Sequence, residues 1–207
     1  MKARRSIRLP SYDYSSSGAY FVTICVHNRV CLFGNVHDGV MALNDAGRMM
    51  RKWWLELANK FNNVLCDEFV IMPNHVHGII LINTISQKSV GADRCLRPEL
   101  DDVPQQGRHT GLPLAENKQI RASLSALVQW FKTMSTNEYI RGVKNDSWSR
   151  FNTRLWQRNY WEHVIRNEHA LRQIREYVQN NPLNWQIDQL NPYVSQKNSV
   201  PEFEYGR

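Results

Sequence analysis

The sequence predicts an α+β fold, a ferredoxin-like antiparallel sheet sandwiched with helices. Three observations lead there. The apolar pattern alternates between a period of two and a period of 3.6, in the order strand, helix, two strands, helix, strand, helix. The two consecutive strands are separated by little more than Pro73-Asn74, a connection short enough only for antiparallel neighbours. At 207 residues the chain is long enough for one domain with a sizeable core, and its length argues against two.

The elements follow in order. A strand over 19–26 comes after the turn-rich stretch 10–18. A helix over 44–61 carries Ala46, Met50, Trp53, Trp54 and Leu57 towards the sheet. Strands over 63–72 and 76–82 come next, the second rich in β-branched residues as befits an inner position. Residues 84–118 contain Gly91, Pro98, Pro104, Gly107, Gly111 and Pro113 with almost no periodicity, and read as a long loop insertion. A helix over 122–139 follows, with Leu124, Leu127, Val128, Phe131 and Met134 on one stripe and Lys132 off it. The segment 156–165 alternates like a last strand, and a final helix has Leu171, Ile174 and Val178 on its apolar face, Asn167 as N-cap and Pro182 as its stop. The domain therefore runs over 19–185, between a basic arm at 1–18 and an irregular tail at 186–207 to which no role is assigned.

Lys and Arg outnumber Asp and Glu by 26 to 19, a net charge of +7. The balance favours an anionic partner, nucleic acid being the commonest, because neutralising phosphates releases counterions. Seven Trp and eight Tyr add rings on which unpaired bases can stack, although most belong to a core. Cys25, Cys31, Cys66 and Cys95 show neither a Cys-x-x-Cys pair nor zinc-ribbon spacing. No run approaches the ~18 apolar residues of a membrane span, and no signal peptide follows the basic start. The expected location is the cytoplasm, in association with the nucleoid.

The chemistry-bearing motif is His75-Val76-His77, set in MPNHVHGIILI. Residues two apart on a strand point the same way, so the two imidazoles can share one metal ion. The alternative is a polar stripe on a half-exposed strand. About a hundred residues downstream, Tyr177 and Asn181 lie four apart and share one face of the last helix, where a phenol and an amide can enter one site. Alone, they also fit a core-edge tyrosine and a helix cap.

Taken together, the His75-Val76-His77 strand, LWQRNYWEHVIRNEHALRQIREYVQNNP, SSSGAYFVTICVHNRVCLFG and SLSALVQWFKTMSTNEYI resemble the single-tyrosine HUH transposases, within them the transposases associated with repetitive extragenic palindromic elements. The blocks span most of residues 8 to 185 in the family's order. The resemblance implies an HUH endonuclease type of fold, Tyr177 as nucleophile, and His75, His77 and Asn181 as ligands of Mg2+ or Mn2+. In related insertion-sequence transposases the position of Asn181 is commonly glutamine. The substrate it implies is single-stranded DNA carrying an imperfect hairpin, acted on by a monomer or homodimer.

A phenol with a pKa of about 10 needs help to attack at neutral pH. A divalent metal can polarise the phosphate and orient it for in-line attack, leaving a 5′-phosphotyrosine that conserves the phosphodiester energy for rejoining. Glu162 and His163 are read as residues flanking the metal site, with a surface or packing contact as the alternative. Arg4, Arg5, Arg8, Arg158 and Arg166 are the candidate phosphate-binding cations. Tyr160 is a rival nucleophile that strand alternation beside Trp161 assigns to packing. Two other functions fit the residues: a domesticated protein that binds hairpin DNA without cutting, and a metallohydrolase using His75, His77 and His163.

Overall fold

The computed structural model describes residues 16–83 and 123–194. The basic residues Arg4, Arg5 and Arg8 and the proposed insertion at 84–118 lie outside the described residues. A four-stranded antiparallel sheet is formed by β1 (Gly18–Cys25), β4 (Val64–Met72), β5 (His75–Ile82) and β6 (Trp161–Ile165), in the order β4-β5-β1-β6. With α1 (Asp45–Lys60) after β1 and α2 (Leu124–Asn145) before β6, this is the ferredoxin-like arrangement expected. A third helix, α3 (Glu168–Asn180), follows β6.

The period of two along the central strands decides which layer each side chain enters. Tyr20, Val22 and Ile24 of β1 and Val76, Ile80 and Ile82 of β5 bury against Met50, Trp54 and Leu57 of α1 and Leu127 and Phe131 of α2. Gly78 belongs to this face, and a methyl group there would overlap the Trp54 ring. The opposite face presents Phe21 and Ile79 to Leu171, Ile174 and Val178 of α3. His75 and His77 are on that second face, held by an inner strand that is buried along nearly its whole length.

Helix starts are capped as the residue types predict. Asn44 accepts from the Gly47 amide, Ser123 from Ala126 and Asn167 from Ala170, each meeting one amide the helix leaves unpaired. Helix α2 runs past the expected end at Tyr139 to Asn145, since Gly142 leaves room for the Trp148 ring to cover its last turn.

Two expectations change. The last strand covers Trp161–Ile165 rather than the whole of 156–165, because the carbonyls of Gln157, Arg158 and Asn159 turn to the Lys132 ammonium at 2.9, 3.4 and 3.3 Å instead of joining the sheet. Trp156 keeps a single bridge to Val26. A hairpin of β2 (Gly34–His37) and β3 (Val40–Leu43) also enters before α1. Asp38 and Gly39 turn it with φ of 50° and 74°, the geometry for which Asp-Gly is a strong signal.

Candidate metal and nucleophile site

His75 and His77 present their rings on one side of β5, with centroids 4.5 Å apart. Both are buried, and burial disfavours the charged imidazolium. His77 is pushed down to about 3 by burial. His75 is held well below its ordinary value by burial first and by His77 second. Two neutral imidazoles with available lone pairs result, which is the state a metal requires.

Each ring is oriented through its Nδ1. Asn74 spends both Nδ2 protons on the carbonyls of Arg29 (2.9 Å) and Leu190 (2.8 Å), so its Oδ1 accepts from His75 Nδ1–H at 2.8 Å. That tautomer leaves the His75 Nε2 lone pair aimed into the site. Thr23, opposite His77 on β1, holds His77 Nδ1 at 2.8 Å, and Nε2 of that ring faces α3. Partners of this kind fix both orientation and tautomer of a ligating histidine.

Helix α3 brings Tyr177 over the pair. Its Oη lies 3.4 Å from His77 Nε2, and its ring meets His77 at 5.3 Å and Phe21 edge-on at 5.9 Å. One turn later Asn181 is buried beside His75, near enough to favour that ring's protonated form. The four residues singled out from the sequence therefore converge at one place. Arg175, on the same helix, makes a two-point pair with Asp67 of β4 at 2.7 and 2.6 Å, which ties α3 to the sheet.

Asp188 is a fifth member that sequence reasoning missed. The chain after α3 turns back through Trp185–Ile187 and brings the Asp188 Oδ2 to 3.8 Å from His75 Nε2. The opening of the tail at 186–207 is thus part of this constellation, which corrects its reading as a segment without a role. The backbone of 188–190 is pinned by Asn74 at Leu190 and by Arg29 at Gln189, and no local pattern in the sequence announces such a return.

Ligand atoms of His75, His77 and Asp188 lie within 4.8 Å of one another, close enough to hold one ion among the described residues. His75 Nε2, Asn181 Oδ1 and Asp188 Oδ2 are all buried without a hydrogen-bond partner. Burial also drives the Asp188 carboxyl up, against weaker help from the Leu190 amide and Arg29. A cation among these atoms satisfies all of them at once, so the residues fit a divalent metal.

The other candidates lie elsewhere. Glu162 pairs with Val22, which places it on the α1/α2 face of the sheet, away from the histidines. His163 shares their face but sits on β6, stacked on Trp161 rather than joined to the metal group. Arg158 and Arg166 are exposed. Tyr160 packs against the core facing α1 and α2, with Lys132 over its ring, as a packing residue would.

No protein-family model matches the chain. An uncharacterized protein of Haemophilus influenzae (strain Rd) is 42% identical over 191 residues, covering 90% of this chain and 92% of the relative. A solved structure of a REP-associated tyrosine transposase bound to a REP hairpin superposes with a TM-score of 0.50 at 17% identity, covering 89% of this chain and 74% of that one. The chain belongs to the family of the Haemophilus protein and has the tyrosine transposase fold. On this transposase fold the histidine strand is central and the tyrosine helix crosses its open face. No helix among the described residues is long and apolar enough to cross a membrane.

Proposed function

We propose that the protein is a metal-dependent single-stranded DNA endonuclease and strand-transferase that acts on hairpin or palindromic repeat DNA through a covalent 5′-phosphotyrosine at Tyr177. The observation that carries this reading is the position of the Tyr177 hydroxyl, 3.4 Å from His77 Nε2 and beside a cluster of buried ligand atoms without partners. The fold shared with a hairpin-bound transposase supports it.

His75 and His77 would hold Mg2+ or Mn2+ together with the oxygens of Asn181 and Asp188. Bound there, the ion supplies charge neutralisation at the scissile phosphate. The chain's own groups do the rest. Asn74 and Thr23 keep the imidazoles aimed, and the Asp67–Arg175 pair holds the tyrosine helix to the sheet. Phe21 walls one side of the Tyr177 ring and limits its rotation. Attack by the phenolic oxygen forms a bond to phosphorus and breaks the bond to the 3′ oxygen. The phenolic proton is lost as the departing 3′ oxygen gains one. The reverse attack by a 3′-hydroxyl restores the phosphodiester, so cutting and joining need no outside energy.

Basic groups, a net charge of +7 in the whole chain, suit a polyanionic substrate. The test is a denaturing gel of wild type and Tyr177→Phe incubated with labelled single-stranded hairpins from the gene's own flanks, with manganese or a chelator. A manganese-dependent labelled protein band that disappears in the variant is expected. Tight binding of several flanking hairpins with no adduct would instead establish the non-cleaving hairpin binder.

A further inference from the structure

Trp161 and His163 occupy alternate positions on β6, the edge strand, and project from the same face as Phe21 and His77. Their rings are parallel, 6° from coplanar orientation, with centroids 6.0 Å apart. Trp161 meets Phe21 edge-on at 5.6 Å, and Phe21 in turn stacks on His77 at 5.4 Å. The register sets Trp161 opposite Thr23 and Thr23 opposite His77, so a single row crosses three strands from the metal site to the sheet edge. At ~4.8 Å per strand that row is about 10 Å long.

Helix α3 lies chiefly over β4 and β5, which leaves the β6 side of this face open. Trp161 is 37% exposed there, a large aromatic side chain set at the margin of the catalytic face and facing solvent. The sheet does not require it, since Val164 and Ile165 of the same strand already face the two cores. Exposed Arg158 and Arg166 stand at either end of β6, and Arg166 is near enough to His163 to disfavour its positive form. An aromatic face with cations at its ends suits a base whose own phosphates need neutralising.

We propose that Trp161, backed by His163, is a stacking platform for one unpaired nucleobase next to the phosphate that Tyr177 attacks. A base within a duplex has both faces covered by its neighbours, so the platform selects a single-stranded segment beside the hairpin. This deepens the reading of the protein as a single-stranded DNA transferase and rests on it. Trp161 is a binding residue on this account, and its removal acts mainly on apparent KM.

The experiment compares wild type, Trp161→Leu and Trp161→Phe on hairpin oligonucleotides carrying an abasic site at each unpaired position beside the cleavage point. Leucine keeps apolar bulk but has no stacking face, whereas phenylalanine retains one. With stacking worth what base–aromatic contacts usually are, Trp161→Leu raises apparent KM for adduct formation roughly 5- to 150-fold and Trp161→Phe restores most of it. One abasic position costs the wild type a similar factor and costs Trp161→Leu little more. Equal KM for the leucine variant and wild type, or abasic penalties that multiply with the mutation at every position, overturns the platform. The same cycle is measured by fluorescence anisotropy in a Tyr177→Phe background. Absence of an adduct in wild type then refutes strand transfer, while the binding cycle still decides for or against the platform.

Discussion

Replacing Asn74 by alanine tests how the metal group is assembled. The side chain is 1% exposed and makes three hydrogen bonds, to the Arg29 and Leu190 carbonyls and from His75 Nδ1. Truncation leaves all three partners unpaired in a largely closed site. A buried group left without its partner costs about 1–3 kcal/mol, and water entering the small space recovers part of that, so the expected loss is about 3 kcal/mol. At a urea m-value of about 2 kcal/mol/M this moves the midpoint down by about 1.5 M. The same change frees the His75 ring to turn and releases the segment carrying Asp188, which lowers Mn2+ affinity about 10- to 100-fold. Urea unfolding in chelator gives the first number and calorimetric Mn2+ titration the second. A loss below about 1 kcal/mol together with unchanged Mn2+ affinity would refute the role assigned to Asn74.

Asp188→Asn removes a carboxylate from the ligand group, and is expected to weaken Mn2+ binding at least about tenfold; in chelator it leaves stability equal or raised, because a buried carboxyl has been replaced by a neutral isostere. Unchanged Mn2+ affinity would take Asp188 out of the site. Gly78→Ala drives a methyl into the Trp54 ring at the middle of β5 and costs about 1–3 kcal/mol, read as a fall of about 2–9 °C in melting temperature; a variant as stable as wild type would show that Trp54 can move aside. Burial works against ionisation of Asp67, but the hydrogen bonds from Arg175 and the Glu68 amide outweigh it and hold its carboxyl below the ordinary value. A depressed folded pKa means stability that is present above about pH 4 and is lost as pH falls through the folded value. Asp67→Asn should therefore cost about 1 kcal/mol or less at pH 7 and flatten the acid limb of the stability curve, and an unaltered acid limb would contradict the pair's contribution.

Local rules carried a large part of this protein. The alternation in HVHGIILI dictated a buried inner strand with both histidines on one face, because side chains on a strand repeat every two residues. The stripe of Leu171, Ile174 and Val178 placed Tyr177 and Asn181 one turn apart on α3, because a helix repeats every 3.6. Asn44, Ser123 and Asn167 sit at helix starts for a reason legible in the residue type. Only the packed structure decided what those periodicities cannot encode. Lys132 withdraws three carbonyls from the last strand through contacts some 25 residues distant in sequence. Asp188 reaches His75 because Asn74 and Arg29 capture the backbone of 188–190 from the far side of the chain. Thr23 orients His77 only because β1 inserts beside β5 in one particular register. Periodicity determines which way a side chain points from its own strand or helix; which distant group it meets is set by how those elements bury their apolar faces against each other.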